Sequence, residues 1–426
     1  MKRTLYSLLI SCLIAGTAHS AAAPDELNIT RFAGPDLVPS PACLSVAPNG
    51  HVFVGVDLNG SLGKGPGKGR ILRLVDKDHD GAADTHTIFA EIDNPRGMIP
   101  VGDRLFVLHT VIPEDTGILS GMHVSVLRDS NGDGVAEGKP ERLISNISVT
   151  KHNQDRGADH TSNGIVLGID GWIYIAVGDF GFVDATGTDG TKLTMLGGGI
   201  VRVRPDGTEM EVYTHGTRNI YDLAIDPLLN IFTRGNTNDG GGWNVRFLHH
   251  IQSGEYGYPV LFKNFTGEML PALEDLGGGS GTGALFFAEP GWPKKYSNVP
   301  MMCDWGRNQL FIHRVTPYGP SFTQTAEDFI RISQITDVDV DGSGRMYLSA
   351  WDGAGYKGNE SKGYVERVTP KGWKFEAFPD LGKASAKSLF ELLKKPSAVA
   401  RRHAQQELIR REAKPAPALK LAKDKP

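Results

Sequence analysis

Cysteine is scarce in this sequence, and its scarcity excludes two classes of protein. The 426 residues contain only Cys12, Cys43 and Cys303. So few cysteines cannot staple a chain of this length, so the fold does not depend on a disulfide framework. No Cys-x-x-Cys-His motif occurs, which excludes covalent haem attachment through that motif. If Cys12 is lost with an N-terminal leader, the remaining two cysteines are compatible with one disulfide and equally with two free thiols.

Long apolar runs are also lacking after the N-terminus, where no segment is long and apolar enough to cross a membrane. The N-terminus has a short basic start, the apolar run Leu5–Ala15 and the small-residue site Ala18-His19-Ser20. This order predicts a signal peptide over residues 1–23 and therefore a periplasmic or secreted protein. A lipoprotein box around Cys12 fits less well, because apolar residues continue past it.

The main body of the chain has fewer positively than negatively charged side chains. Residues 24–383 carry 32 Lys and Arg against 45 Asp and Glu, a net charge of −13, whereas residues 384–426 carry 11 against 4, a net charge of +7. A body this acidic is unsuited to bind nucleic acid, because the phosphates need basic partners. It is suited to hold cations.

Glycine is abundant, at 53 residues, and together with 25 prolines it indicates many tight turns between short strands. One hairpin pattern recurs along the chain: an apolar strand, a polar turn with glycine and a second apolar strand. Its copies span 44–56, 98–110, 164–179, 223–235 and 338–351, with a weaker copy at 296–315. Six such units predict an all-β fold, a six-bladed β-propeller over residues 24–382. A β-sandwich or two all-β domains are the alternatives, but neither reuses one hairpin pattern in this way.

The C-terminal segment has a different pattern. Residues 383–412 have apolar residues at helical spacing, and Pro396 divides them, which predicts a short extension of two helices. Residues 413–426 are rich in Ala, Lys and Pro, which predicts a disordered basic tail. The extension would pack on the propeller as a short cap or contact anionic partners. We expect deletion of residues 384–426 to leave the stability of the propeller nearly unchanged.

Two loops share a pattern of oxygen-bearing side chains. Residues 76–84 (DKDHDGAAD) and 129–137 (DSNGDGVAE) have such side chains at positions 1, 3 and 5, glycine at 6 and a carboxylate at 9. Hard oxygens that converge in a tight turn predict Ca²⁺ sites of structural importance. The predicted ligands are Asp76, Asp78, Asp80, Asp84, Asp129, Asn131, Asp133 and Glu137. The alternative is a pair of solvated acidic turns, because Asp and Gly are ordinary turn residues.

A histidine precedes the first strand of the third hairpin. His160 stands a few residues before the apolar run Ile165–Leu167, and in a propeller a residue at this position overlooks the mouth of the central channel. Histidine is suited to take a proton from a bound substrate near neutral pH, and the adjacent Asp159 is a candidate to orient the ring. The alternative is a histidine that is bonded only to loop backbone.

The stretch around this histidine, DHTSNGIVLGIDGWIYIAVGDFG, resembles the signature of the soluble quinoprotein glucose/sorbosone dehydrogenases. Similar segments follow in that family's order: LGGGIVRVRPDGT at 196–208, VYTHGTRNIYDLAIDP at 212–227 and SGEYGYP at 253–259. The resemblance covers about residues 40–380 and implies a propeller that binds pyrroloquinoline quinone (PQQ) and Ca²⁺ at the channel mouth. A closer resemblance is to a branch of predicted "membrane-bound dehydrogenase" proteins, in which a haem-binding Cys-x-x-Cys-His domain often follows the propeller. That motif is absent from this sequence.

The resemblance implies roles for individual residues. His160 matches the family's general base. Arg218 and Asn219 match its cofactor-contacting pair, and Arg218 would stabilise charge on the reduced quinone. The segment that holds the catalytic Ca²⁺ is matched by Gly235 and Asn236, with Asp239 as a further oxygen donor.

The match to the cofactor-binding residues is incomplete. Arg307 matches a basic residue that binds PQQ. The family places two further arginines before a late inner strand, where they clamp carboxylates of the cofactor, but Gln334 and Thr336 stand at those positions here.

The resemblance leads to a first hypothesis, an exported oxidoreductase that oxidises a sugar or polyol alcohol at a calcium–PQQ site. Its electrons would pass to a separate acceptor, because no haem motif is present. The alternative, which the two missing arginines favour, is a non-catalytic, calcium-stapled propeller that binds glycans or proteins. A propeller lactonase would need several carboxylates directed at the channel axis. Asp239 is the only carboxylate that the sequence gives a reason to place there.

Overall fold

The computed structural model describes residues 21–424. The predicted signal peptide therefore lies outside the described residues, except for its last three positions. One of these, Ala22, pairs with Arg331 through two backbone hydrogen bonds of 2.8 Å. None of the helices between residues 21 and 424 has the length and apolar character that a membrane span requires.

The strands form six sheets, which are the blades of the propeller. The chain begins with β1 (Leu27–Ala33). Blade 1 follows with β2 (Pro41–Val46), β3 (Val52–Asp57), β4 (Gly69–Val75) and β5 (Thr85–Glu91). Blade 2 contains β6 (Asp93–Val101), β7 (Arg104–Val111), β8 (Gly121–Arg128) and β9 (Glu137–Ser145). After helix α1 (Thr150–Arg156), blade 3 starts with β10 (Ser162–Leu167) and β11 (Ile173–Val177).

The second half of the ring continues in chain order. A hairpin of β12 (Phe182–Gly187) and β13 (Lys192–Met195) precedes the remaining strands of blade 3, β14 (Gly198–Val203) and β15 (Glu211–Thr217). Blade 4 and its insertion contain β16 (Ala224–Ile225), β17 (Ile231–Arg234), β18 (Arg246–His250), α2 (Leu261–Asn264) and β20 (Glu274–Asp275). Between β18 and α2, β19 (Gly254–Glu255) pairs in parallel with β15 and is the fifth strand of blade 3. Blade 5 contains β21 (Gly281–Phe287), β22 (Val299–Asp304), β23 (Gln309–Tyr318) and β24 (Ser321–Arg331). Blade 6 contains β25 (Ile335–Val340), β26 (Met346–Trp351) and β27 (Gly363–Pro370).

The apolar core lies between neighbouring blades. Strands such as β3 and β11 are buried along their whole length, because each sheet packs between two neighbouring blades, one on each face. One cluster of buried side chains joins blades 2 and 3, another joins blades 5 and 6, and a third joins blades 6 and 1. The predicted six-bladed β-propeller is therefore confirmed.

The first and last strands of the propeller pair with each other and close the ring. β1 pairs with β27, so the first strand becomes the outer strand of the last blade. A second link crosses between blades 2 and 3, because the β12–β13 hairpin pairs with β9 and extends blade 2 to six strands. The sequence pattern predicted neither link, since both depend on partners distant in the chain.

The weak hairpin copy at 296–315 was assigned to the wrong strands of blade 5. It spans β22 and β23, whereas the inner hairpin is β21–β22. The connection between β21 and β22 is long and contains a 3₁₀ turn at Lys294–Tyr296, so it lacks the short glycine turn of the other copies. Cys43 and Cys303 are both free and buried, and they lie in blades 1 and 5.

The first strands of the six blades surround a central channel. Aspartates on the channel wall bridge neighbouring first strands: the carboxylate of Asp337 accepts from Leu44 N at 2.8 Å, and that of Asp339 accepts from Val46 N at 2.7 Å. Asp222 makes the same kind of bond to Ala284 N at 3.0 Å. These bonds satisfy backbone N–H groups that have no ladder partner at the channel wall.

The helical extension contains α3 (Ala386–Leu392), α4 (Ala398–Arg410) and α5 (Ala416–Asp424). Pro396 separates α3 from α4, as predicted. α5 lies where the composition predicts a disordered tail; its Ala, Leu and Lys residues are good helix formers, and Pro417 stands in the first turn, where proline is tolerated.

α4 covers one end of the channel. Arg402, His403 and Gln406 line the channel together with the ends of the first strands. The helix is fixed to blade 5 by Val399 N, which donates to Glu289 Oε1 at 2.9 Å. The structure therefore favours the cap over a surface for anionic partners. It also revises the expectation that the extension contributes little to stability.

Candidate active site

A cavity of about 320 Å³ lies at the channel end opposite α4, where the first strands of the blades begin. Residues from all six blades line it, for example Ala42, Arg96, His160, Tyr221, Thr282 and Thr336. The first strands converge there, so a residue at the start of each points into a shared space.

His160 lies in this cavity beside a carboxylate across its own hairpin. β10 and β11 pair in antiparallel register with Ser162 opposite Val177, and continuing that register places residue 160 opposite residue 179. His160 Nδ1 is 2.6 Å from Asp179 Oδ1. The predicted partner, Asp159, is farther away, with its Oδ2 3.6 Å from Nε2, and it accepts a hydrogen bond from the Tyr221 hydroxyl instead. Asp179, not Asp159, orients the ring.

The two neighbours of His160 define the hydrogen-bonding roles of its ring nitrogens. A carboxylate only accepts hydrogen bonds and a guanidinium only donates them. In this geometry Nδ1 faces the acceptor Asp179, and Nε2 faces the donor Arg156 Nη2, 2.7 Å away. A ring held with Nε2 as its acceptor has the arrangement of a general base.

Asp179 is kept ionised by its surroundings. Burial alone would raise the pKa of this carboxyl, but the hydrogen bond and the charge interaction with His160, followed by the positive charge of Arg218, outweigh burial and lower the pKa below its usual value. Arg218 is itself buried, with its Nε 3.9 Å from Asp179 and its Nη2 3.5 Å from Asp239. The geometry thus brings both predicted catalytic residues, His160 and Arg218, to one carboxylate.

A second buried arginine lines the cavity. Arg96, on β6, pairs with Asp57 at 2.7 Å, and it also donates to the carbonyl of Gly60. Burial opposes the charged form of Arg96, but the Asp57 carboxylate outweighs it and raises the pKa. The charge of Arg96 is therefore fixed at the cavity wall.

Aromatic rings form the opposite wall. Trp305 and Tyr356 are stacked with ring centroids 5.1 Å apart, and Trp351 meets Trp305 edge-on. All three line the cavity. Trp243 is buried against Tyr258 and does not line the cavity.

The predicted cofactor residues divide into two groups. Asn236 and Asp239 line the cavity. Asn219 and Gly235 are buried behind the lining: the Asn219 side-chain oxygen accepts from Asn163 at 3.0 Å, and the Gly235 carbonyl accepts from Gly281 N at 3.1 Å.

Arg307 is placed differently from the prediction. It is exposed, and its guanidinium donates to the carbonyls of Gly278 and Leu276 rather than reaching the cavity. At the two positions where the family has arginines, Thr336 lines the cavity, but the Gln334 side chain accepts from Ala354 N at 2.8 Å and holds a loop. A bonded side chain of this kind cannot be recognised from sequence spacing.

The two acidic loops differ in the structure. In the first, ligand atoms of Asp76, Asp78 and Asp84 lie within 4.8 Å of one another, the single such group of three found in residues 21–424. Asp80 is not in that group; it accepts from Ala82 N. Asp76 also lies 3.3 Å from the Arg367 guanidinium, which already balances its charge.

In the second loop, the side chains bond to their own turn. Asp129 accepts from the N–H groups of Gly132 and Gly134, Asn131 from Asp133 N, Asp133 from Val135 N and Glu137 from Asn131 N. The side chains of the first loop bond in the same way: Gly81 N donates to Asp76, Asp80 N to Asp78 and Lys77 N to Asp84. Such bonds favour the solvated-turn alternative, and the first loop differs only in its cluster of three carboxylates. A calcium site at the first loop stays a prediction.

Three groups at the site were not predicted from sequence. Asp179 stands two residues after β11, and a register shift between Ser162 and Ile165 brings it opposite His160; the register of the apolar pairs alone would have pointed to residue 180. Arg156 and Arg96 come from α1 and from blade 2, and nothing in the spacing of the sequence brings them to His160. They are found only when the blades are assembled in a ring.

Solved structures similar to this one share the propeller. A Thermus thermophilus protein described as an oxidoreductase (glucose dehydrogenase) is 19% identical, with 80% of this chain and 100% of that chain covered and a TM-score of 0.57. The PQQ-bound aldose sugar dehydrogenase of Streptomyces coelicolor is 17% identical, with 82% and 100% covered and a TM-score of 0.54. The soluble aldose sugar dehydrogenase of Escherichia coli, in its apo form, is 14% identical, with 81% and 99% covered and a TM-score of 0.53. At these identities the likeness establishes the fold.

No curated protein sequence matches the chain. A family profile, in contrast, matches residues 16–332, about three quarters of the sequence. The matched range includes blades 1 to 5 and with them His160, Asp179 and Arg218. The chain belongs to the family described as "Domain of unknown function (DUF7133)".

Proposed function

We propose that this protein is an exported oxidoreductase that oxidises an alcohol group of a sugar or polyol in the cavity at the channel mouth. The observation that carries the proposal is His160, held by Asp179, a carboxylate that also lies near Arg218, in a cavity of about 320 Å³. The likeness to sugar dehydrogenases supports the same chemistry. The predicted signal peptide supports a periplasmic or secreted location.

Each catalytic residue has one task in this proposal. His160 Nε2 takes the hydroxyl proton of the substrate, and Asp179 stabilises the imidazolium that forms. The substrate carbon loses a hydride, so that its C–O bond becomes C=O. Arg218 stabilises the negative charge that develops on the acceptor of the hydride.

The residues present are compatible with PQQ, a planar quinone with three carboxylates. Buried Nε atoms of Arg96 and Arg218 have no protein partner, and charged donors of this kind suit carboxylates. The aromatic wall of Trp305, Trp351 and Tyr356 suits a flat ring. Asn236 and Asp239 would supply oxygens to the accompanying Ca²⁺. PQQ, when bound, accepts the hydride, and its electrons would then pass to a separate acceptor.

Reconstitution tests the proposal. The mature protein is mixed with Ca²⁺ and PQQ, and two signals are followed: the absorbance of bound quinone and dye-linked oxidation of a panel of sugars. We expect both signals in the wild type. His160→Ala should abolish turnover and leave the quinone absorbance intact, whereas the exposed His86→Ala, on β5, should behave as wild type. Absence of both signals in the wild type at micromolar PQQ would refute the proposal.

A second function is favoured by the exposed aromatic surface. Tyr356 is 62% exposed and stacks on Trp305 at the cavity wall, which suits the apolar face of a sugar ring. A glycan-binding propeller without catalysis would show sugar binding that His160→Ala leaves unchanged and no turnover under any of the above conditions.

A further inference from the structure

Arg156 is the one arginine of the cavity lining that has no carboxylate partner. Arg96 pairs with Asp57, and Arg218 lies near Asp179 and Asp239. For Arg156, no carboxylate oxygen of the described chain lies within 4.0 Å of the guanidinium, which donates to His160 Nε2. The guanidinium lines the cavity and is only half-buried, so its charge is available to an anionic group of a ligand.

Other polar atoms of α1 are also unpartnered. Arg156 Nε is buried without a hydrogen-bond partner, and so are both side-chain polar atoms of Asn153, a fully buried residue on the same helix. Asn153 does not line the cavity, whereas Arg156 does. Buried polar atoms in folded proteins are nearly always paired, so α1 is incompletely satisfied by the protein alone.

The position of Arg156 also affects the base. Its Nη2 donates to Nε2 of His160 at 2.7 Å, which is the nitrogen that must accept the substrate proton. The lone pair of the base is therefore covered by Arg156. A group that attracts the guanidinium more strongly than an imidazole would uncover it.

We infer that the site takes an anionic sugar, a polyhydroxy carboxylate such as a uronic or aldonic acid, whose carboxylate pairs with Arg156. The planar guanidinium presents two parallel N–H donors that match a carboxylate. Pairing replaces the bond to His160 and leaves Nε2 free for the hydroxyl of the same substrate. A neutral sugar has no group that would draw Arg156 away, so carboxylate recognition and base activation are coupled. The inference deepens the proposed function and rests on it for the role of His160.

Titration calorimetry on the full chain tests the recognition step without turnover. The matched ligands are glucuronate and glucose, which differ in one carboxylate. We expect the wild type to bind glucuronate at least about tenfold more tightly than glucose, from the strength of a charge-assisted pair. Arg156→Gln should lose about 10- to 100-fold in glucuronate affinity without a comparable loss of glucose affinity. Arg156→Lys keeps the charge but not the two parallel N–H donors, so its loss of glucuronate affinity should be smaller.

Two controls make the result specific. Arg104→Gln removes a half-buried arginine of blade 2 that lies outside this cavity, and it should leave both affinities unchanged. Unaltered urea-unfolding midpoints establish that the Arg156 variants are folded. Equal binding of the two sugars by the wild type, or equal glucuronate binding by wild type and Arg156→Gln, would overturn the inference. Turnover of neutral sugars alone would do so too, whereas a lack of turnover of either sugar refutes the proposed function and leaves the binding result to be judged separately.

Discussion

Glu289 offers a test of how α4 is held over the end of the channel. This glutamate follows β21 and is 2% exposed. Its Oε1 accepts from Val399 N at 2.9 Å, while Oε2 has no hydrogen-bond partner. Burial raises the pKa of Glu289 from 4.5 to about 7, although the bond from Val399 and the charges of Arg402 and Arg401 favour the carboxylate.

The magnitude follows from the displaced pKa. Each pH unit between the folded and unfolded pKa corresponds to about 1.4 kcal/mol, so ionising Glu289 in the folded protein costs about 3 kcal/mol. Because the folded pKa is the higher one, the protonated form stabilises the fold below about pH 4.5, and this contribution is lost as the pH rises through about 7. Glu289→Gln keeps an oxygen for Val399 N and stays neutral at every pH.

Urea unfolding at two pH values measures the effect. At pH 8 we expect Glu289→Gln to have a free energy of unfolding higher than that of wild type by up to about 3 kcal/mol, and at pH 5 by less than about 1 kcal/mol. The channel aspartates are common to both proteins and cancel in the difference. The exposed Glu268→Gln serves as the control and should show no such pH dependence. A Glu289→Gln variant that is no more stable than wild type at pH 8 would refute the conclusion that ionisation of the buried Glu289 destabilises the folded protein.

Three further predictions concern the dyad, the cap and the first acidic loop. Asp179→Asn should lower kcat by about 10²- to 10⁴-fold with little change in PQQ binding; steady-state kinetics and quinone absorbance check this, and an unchanged kcat would contradict the dyad. Deleting residues 384–426 should lower Tm by several degrees, since Val399 alone, buried against blades 5 and 6, contributes about 1.5–3 kcal/mol; a thermal melt with an unchanged midpoint would show that α4 is dispensable. Asp78→Ala should remove any rise of Tm on adding Ca²⁺ whereas Asp80→Ala should keep it, because only Asp78 lies with Asp76 and Asp84; the same loss in both variants would contradict this assignment.

The fold was predictable because one local pattern repeats. Each first hairpin has apolar strands around a short turn, and only blade 5, with its long connection after Phe287, was assigned to the wrong strands. Closure of the ring by β1 and coverage of the channel by α4 were not predictable. Both depend on contacts between segments that are hundreds of residues apart.

The site was predictable only in part. His160 was found because it precedes a first strand, whereas Asp179 lies opposite it only because the hairpin register shifts between Ser162 and Ile165. Arg96 and Arg156 belong to different elements and reach the cavity only through the ring geometry. Arg307 had the expected residue type, but its guanidinium is bonded to the loop carbonyls of Leu276 and Gly278. Spacing along a chain gives the position of a backbone, not the direction of a long side chain.

The coverage of one channel end by Arg402, His403 and Gln406 has a kinetic consequence. Because α4 covers one end of the channel, a ligand that enters through the open end must also leave through it. Of two ligands bound at different depths in the channel, the deeper one must bind first, and it cannot leave while the other occupies the opening. In the proposed function, substrate and product would then exchange one after the other through this single opening.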